Sequence, residues 1–174
     1  MHQAEEDLLV LAAQSGNQKA FTLLHKRYQG PLFHFAFKLC GNEQVAQDAV
    51  QEAWIKLANT LRKLNDPRAL RAWLYRLVRW RTMDILRQMK RHNAYTEVFD
   101  ESTHSASLEN AINDSEELTA AMNRLPPLEK QMIHLFYLDE LKVNEIALVL
   151  EIPPGTVKSR LNRARKLLKQ KFEI

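Results

Sequence analysis

Apolar residues in the first 40 positions recur every three or four residues, which is the spacing of one helical face. Residues 8–13 carry the first such pattern, and Ser15-Gly16-Asn17 ends it. Asn17 is also a suitable N-cap for a second helical pattern, which ends at Gly41. We expect Gly30-Pro31 to interrupt this second pattern, because proline is tolerated at a helix start and disfavoured in its interior.

A third helix is predicted from Glu43 to about Leu64, with Asn42 as its N-cap. Its buried stripe is expected to consist of Ala46, Val50, Trp54, Leu57 and Leu61. Four polar residues share the opposite side, namely Gln47, Asp48, Gln51 and Glu52. Their spacing alone is typical of an ordinary solvated surface.

A fourth helix is predicted from Arg68 to about Arg91, because Asn65-Asp66-Pro67 is a helix start signal with Asp66 as the candidate cap. One side of this helix is apolar and is expected to pack through Leu70, Trp73, Leu74, Leu77, Val78 and Ile85. Five cations lie within about 100° of one another on the other side, namely Arg68, Arg76, Arg79, Arg87 and Lys90. Such a row is suited to the phosphates of a nucleic-acid strand.

Two further residues of the fourth helix are informative. Trp80 lies on the boundary between the apolar and cationic sides, which is typical of a residue at the edge of a core. The alternative is a platform on which an unpaired base stacks. Asp84 lies within the apolar side, so we expect it to accept a salt bridge or hydrogen bond rather than to act in catalysis.

The C-terminal third of the chain has the layout of a helix-turn-helix. Two helices are expected first, over residues 118–125 and 128–138, with Pro126-Pro127 ending the former. The motif follows, with a helix over residues 143–150, a tight turn at Glu151-Ile152-Pro153 and a last helix.

The last helix combines a buried seam with a polar side. The seam is expected to be Val157, Leu161, Ala164 and Leu168. The polar residues that face away from it are Thr156, Lys158, Ser159, Asn162, Arg163 and Lys166. A helix of this kind fits the major groove of duplex DNA. The alternative is a helical hairpin with a basic face.

Charge is concentrated in blocks, although the 174-residue chain has a net charge of only +4. Residues 62–92 carry ten Lys and Arg against two Asp and Glu, and residues 153–174 carry seven against one. Residues 93–118, which lie between them, carry seven acidic residues and no Lys or Arg. Two dense basic blocks favour a polyanion, such as nucleic acid, as the partner.

The acidic stretch is rich in Ser, Thr and Asn and poor in large apolar residues. It cannot bury enough surface to offset the entropy of ordering, so we interpret it as a flexible linker. The prediction is an all-α protein with two small helical domains, residues 1–92 and 116–174, joined by an acidic linker over residues 93–115. We also hypothesise that this linker covers the basic blocks when DNA is absent.

Composition excludes several other classes of protein. The single cysteine, Cys40, excludes an internal disulfide. The sequence contains no run of 18 apolar residues, which a membrane-spanning helix would need. The six histidines lack metal-ligand spacing, and no glycine-rich phosphate loop occurs. We therefore expect a soluble cytoplasmic protein that has no catalytic residues and uses no metal, cofactor or small-molecule substrate.

Three stretches resemble the bacterial RNA polymerase sigma factors of the extracytoplasmic-function (ECF, group IV) type. They are residues 46–54, residues 71–79, and the segment from Leu125-Pro126-Pro127-Leu128-Glu129 through residues 155–165. The resemblance implies an N-terminal sigma-2 helical bundle and a C-terminal sigma-4 domain that contains the helix-turn-helix. It implies binding without catalysis, with core RNA polymerase and promoter DNA as partners.

The resemblance also implies roles for the polar residues. It assigns Gln47, Asp48, Gln51 and Glu52 to the surface that docks on the beta-prime clamp helices, with the beta flap as a further polymerase contact. It assigns Arg68, Arg76, Arg79, Trp80, Arg87 and Lys90 to opening and holding the minus-ten promoter region, where the loop at residues 63–68 captures an extruded base. It assigns the polar side of the last helix to the minus-thirty-five element. An anti-sigma factor is a common further partner in the family.

The chain departs from the family pattern at two positions. Trp80 replaces a common Asn in the minus-ten helix, and Glu151 replaces a common Gly in the turn, where positive φ is favoured. The main alternative function is a dimeric helix-turn-helix repressor or activator that binds a palindromic operator without polymerase. A helical enzyme is the second alternative.

Overall fold

The computed structural model describes residues 3–95 and 114–172, and none of these residues forms a β-strand. The chain divides into two compact units, Met1–Ser102 and Thr103–Ile174. The first unit contains helices α1 (Gln3–Gln14), α2 (Gln18–Cys40), α3 (Glu43–Thr60) and α4 (Leu70–Tyr95). The second contains α5 (Asp114–Asn123), α6 (Pro127–Ile133), α7 (Val143–Leu150) and α8 (Pro154–Phe172).

Helices α2 and α3 begin where the capping signals predict. The side chain of Asn17 accepts a hydrogen bond from the Ala20 amide at 3.1 Å, and Asn42 accepts one from the Val45 amide at 3.0 Å. Gly41 ends α2 with a φ of 63°, a left-handed conformation that glycine adopts at little cost. Each cap satisfies an amide or carbonyl group that the helix itself leaves without a partner.

The four helices of the first unit pack around a shared apolar core. Its largest buried side chains come from α2 and α4, and include Leu24, Leu32, Phe35, Leu74 and Tyr75. A buried polar contact joins α1 to α2, in which the Tyr28 hydroxyl donates to Glu6 and Arg27 forms a 3.1 Å ion pair with Glu6. Burial and the neighbouring Glu6 carboxylate raise the pKa of the Tyr28 hydroxyl.

The predicted interruption at Gly30-Pro31 is wrong, because α2 continues through both residues. Pro31 is exposed, whereas Leu32, Phe35 and Ala36 beyond it are buried in the core. Their burial keeps the residues beyond Pro31 helical. Tertiary packing therefore outweighs the local cost of an interior proline.

The predicted start of the fourth helix at Arg68 is also wrong. The chain leaves α3 through a 3-10 turn at Leu61–Lys63 and forms a second 3-10 turn at Pro67–Ala69 before α4 begins. Asp66 is confirmed as a cap, since it accepts a hydrogen bond from the Arg68 amide at 3.0 Å. This short capped turn places Arg68 ahead of the α-helix rather than on its cationic side.

The second unit contains the predicted helix-turn-helix. Helices α7 and α8 flank a turn in which Glu151 has φ 57° and ψ 43°, so the positive φ expected there is confirmed. The predicted helix over residues 128–138 is α6 followed by one π-helical turn, His134–Leu138. Most of the predicted linker lies outside the described residues, although its ends, residues 93–95 and 114–115, belong to α4 and α5.

Candidate nucleic-acid interface

Helix α8 separates a buried seam from an exposed polar side. Val157, Leu161 and Ala164 are buried against the rest of the unit, while Leu168 is half-buried. We call the polar side the recognition face; it consists of Thr156, Lys158, Ser159, Asn162, Arg163 and Lys166, all exposed except the half-buried Thr156. The face therefore presents three cations and three hydrogen-bonding side chains on one helix, as base and phosphate contacts in a major groove require.

Two other arginines of α8 bind within the second unit. Arg160 contacts the carboxylate of Glu129 through an Nη1–Oε1 distance of 3.4 Å, and Glu129 is only 2% exposed. Arg165 donates through Nε to the Tyr137 hydroxyl at 2.6 Å, and its guanidinium lies 5.2 Å from the centre of the Phe136 ring. These contacts fix the rotation of α8 about its axis, which determines where the recognition face points.

The turn before α8 is held by main-chain bonds. The Ile152 amide donates to the Ala147 carbonyl at 3.1 Å, and the Thr156 amide donates to the Pro153 carbonyl at 3.0 Å. At the other end of α7, the Lys142 amide donates to the Glu145 carboxylate at 2.8 Å. The angle between α7 and α8 is therefore set by the backbone of the turn, including the left-handed Glu151.

Four of the five predicted cations of the first unit lie on α4. We call Arg76, Arg79, Arg87 and Lys90 the α4 cationic row; Arg79 is half-buried and the others are exposed. Arg68 lies before the helix and donates to Asp66, with an Nε–Oδ1 distance of 3.1 Å. This hydrogen bond lowers the pKa of the Asp66 carboxyl.

Trp80 lies beside the α4 cationic row with 52% of its surface exposed. It lines a shallow groove between α3 and α4, together with Glu52, Ala53, Lys56, Leu77 and Arg81. The indole is therefore exposed to solvent at the edge of the α3–α4 groove.

Arg81 connects the two helices at this groove. It donates through Nη2 to Glu52 at 2.9 Å and through Nη1 to Asp84 at 2.5 Å. The prediction that Asp84 accepts a salt bridge is therefore confirmed. The bond to Glu52 raises the pKa of Arg81 and joins the polar side of α3 to α4.

The predicted polar residues of α3 share one surface, which we call the α3 polar face. Gln47, Gln51 and Glu52 are exposed and Asp48 is half-buried. Gln47 donates to Glu43 at 3.3 Å, and Gln44 donates to Asp48 at 2.9 Å. Glu52 differs from the other three because it pairs with Arg81 of the neighbouring helix.

Within the described residues, no group of three or more His, Cys, Asp and Glu side chains has the geometry to hold a metal ion. None of the helices in residues 3–95 and 114–172 has the length and apolar character to cross a membrane.

Comparison with known proteins identifies the family. Two family models match the chain, Sigma-70 region 2 over residues 24–92 and Sigma-70, region 4 over residues 115–168. The chain is 26% identical to the ECF RNA polymerase sigma factor SigW of Bacillus subtilis, covering 91% of this chain and 92% of that protein. It is 32% identical to the ECF RNA polymerase sigma-E factor of Escherichia coli K12, covering 98% and 96%. The chain belongs to the ECF sigma factors.

Two solved structures share the fold of this ECF sigma factor. RpoE from Bartonella quintana, solved with the anti-sigma factor NepR, has a TM-score of 0.71 at 24% identity and covers 90% of this chain and 98% of its own. CnrH, solved with the cytosolic domain of CnrY, has a TM-score of 0.68 at 23% identity and covers 97% of both chains.

Family membership settles the general function. As an ECF sigma factor, the protein acts with bacterial RNA polymerase to recognise promoters and initiate transcription, so core polymerase and promoter DNA are its partners. The alternative of a repressor or activator that works without polymerase is not favoured. The roles of the individual residues on the three surfaces stay predictions.

Sequence reasoning did not find the residues that hold these surfaces in place. The partners of Arg160 and Arg165 lie 31 and 28 residues away, and Glu52 lies 29 residues from Arg81. A further side chain of this kind, Gln14, bonds residues 47 and 50 positions away. Periodicity along one helix carries no signal for such distant pairs.

Proposed function

We propose that the two units of this sigma factor read different parts of one promoter. The second unit reads the minus-thirty-five element as duplex DNA through the recognition face. The first unit holds the minus-ten element as unpaired DNA through the α4 cationic row, Arg68 and Trp80, and docks on the beta-prime clamp helices through the α3 polar face. The beta flap is a further polymerase contact. The protein catalyses no reaction of its own.

One observation carries the proposal for the second unit. The recognition face is exposed directly opposite a buried apolar seam, and separate arginines fix the helix on either side of it. A helix held in this way presents its first turns to base edges, and its cations reach the flanking phosphates. The helix is therefore oriented before it meets DNA.

Replacement of Arg163 tests the base-reading role. Holoenzyme made from the full chain and core polymerase first selects a promoter from a random-sequence library. The Arg163→Ala variant is expected to cost about 1–3 kcal/mol of binding and to relax specificity at one position of the upstream element. Selection and footprinting with the variant holoenzyme measure both effects.

Two further variants make this test specific. Gln170→Ala changes an exposed residue of α8 outside the recognition face and is expected to leave binding unchanged. Lys166→Ala is expected to weaken binding equally for all sequences and to lower the salt slope, as a phosphate contact does. A sequence-independent loss for Arg163→Ala would make Arg163 a phosphate contact instead. Failure to initiate from any selected template would contradict the whole proposal.

We propose that an anti-sigma protein binds this chain and regulates it. Support comes from the shared fold with RpoE and CnrH, of which RpoE was solved with an anti-sigma factor and CnrH with the cytosolic domain of CnrY. Affinity purification of the full chain from its native cell identifies such a partner. Recovery of core polymerase alone would contradict the proposal.

A further inference from the structure

The last residue of α1 is bonded to the segment that precedes α4. The amide nitrogen of Gln14 donates to the Leu61 carbonyl at 2.9 Å and to the Leu64 carbonyl at 2.7 Å. A glutamine amide nitrogen has two protons, and both are used here. Because Gln14 is half-buried, these bonds are partly shielded from competing water.

The two carbonyls lie at the ends of the 3-10 turn that follows α3. The Leu64 amide also donates to the Leu61 carbonyl at 3.1 Å, which closes the turn. The Leu61 side chain is buried, while Asn65 is exposed just after the turn. Gln14 and Asp66 thus fix the backbone on the two sides of Asn65.

We propose that Gln14 is a positioning residue for promoter opening, which holds the loop at residues 63–68 in the shape that accepts an unpaired base of the minus-ten element. The inference rests on the proposed function, in which the first unit holds this element as single strand. Extruding a base from the duplex costs free energy, because stacking and pairing are lost. A loop that is already ordered adds no further ordering entropy to that cost.

Two substitutions of Gln14 should disturb the bonds to the turn carbonyls to different extents. Gln14→Met keeps a similar volume and removes both donors. Gln14→Glu keeps the shape and places a carboxylate against two carbonyl oxygens, which repel it. Gln18→Met and Gln18→Glu are the matched controls, because Gln18 is exposed at the start of α2 and contacts neither turn carbonyl.

The test measures binding of the reconstituted holoenzyme to a selected promoter whose minus-ten region is left as an unpaired non-template strand. Each position of that strand is replaced in turn by an abasic nucleotide. The position at which wild-type binding falls most identifies the captured base. Each variant is then assayed on the intact strand and on that abasic strand. The ratio of the two affinities cancels any difference in the fraction of folded protein.

We expect Gln14→Met to weaken binding to the intact strand about tenfold, which corresponds to the loss of one or two hydrogen bonds. Gln14→Glu is expected to weaken it further. On the abasic strand, both Gln14 variants should bind with the same affinity as the wild type, because the loop then has no base to hold. The Gln18 variants should behave as wild type on both strands.

Two results would overturn the role of Gln14. Both can be distinguished from the result that would contradict the proposed function. An equal loss on intact and abasic strands would make Gln14 a structural residue only, as would wild-type binding by Gln14→Met. If no abasic position weakened wild-type binding, the proposed capture of a minus-ten base by this loop would itself be wrong.

Discussion

The arginines of this sigma factor have two kinds of role that composition cannot separate. Arg160 and Arg165 bind Glu129 and Tyr137 of their own unit, whereas Arg163, between them in the sequence, is exposed on the recognition face. Adjacent positions on a helix differ by about 100° in direction, so neighbours meet different surroundings. The net charge of the block therefore also counts cations that are bonded within the unit.

Glu151, like Glu140, is a non-glycine residue in the left-handed region, with a φ of 57° against 53° for Glu140. We expect Glu151→Gly to be more stable than Glu151→Ala by about 1 kcal/mol, because only glycine adopts this conformation without a Cβ clash. Both variants remove the carboxylate, so the difference between their free energies of unfolding isolates the backbone contribution. Denaturant unfolding of the full chain measures these free energies. Equal stabilities would show that the turn carries no such strain.

At the scale of single elements, the sequence predicted which helices exist better than where they begin. Capping residues such as Asn42 and Asp66 act through bonds two or three positions away, so the sequence reveals them directly. The continuity of α2 through Pro31 depends instead on Phe35 and Ala36 being buried in the core. The polar face of α3 was found by spacing, but its link to α4 through Arg81 was not.

Helix α2 provides a prediction about Gly30 and Pro31. A Cβ on the residue before proline clashes with the proline ring in helical conformation, and glycine avoids this clash. We therefore expect Gly30→Ala to destabilise the wild type but to stabilise a Pro31→Ala variant by about 0.5–1 kcal/mol, the usual helical preference for alanine.

The surroundings of both positions are favourable for this comparison. A Cβ added at Gly30 meets nothing within 4 Å outside its own helix and chain neighbours, and both residues are exposed, so changed packing does not obscure the result. Thermal unfolding of the two single variants and the double variant gives the coupling free energy. Independent, additive effects would contradict the role assigned to Gly30.

On the scale of the whole molecule, each unit has a cationic surface supported by its own core. The recognition face belongs to the second unit, and the α4 cationic row belongs to the first. Sequence analysis predicted this division, because charge and apolar periodicity both change along the chain. The residues that orient the surfaces were missed, because they act across the core of each unit.

The acidic stretch between the basic blocks is expected to affect how the full chain binds DNA in the absence of polymerase. If the stretch competes with DNA for the cationic surfaces, neutralising it should strengthen DNA binding and steepen its dependence on salt, because more phosphate contacts then form. The variant replaces Glu97, Asp100, Glu101 and Glu109 with their amides, which preserves chain length and side-chain shape.

A second variant that permutes residues 96–112 keeps the charge and is expected to bind as wild type. Affinity for promoter DNA over a salt series distinguishes them, and superimposable curves for all three proteins would rule out shielding by this stretch.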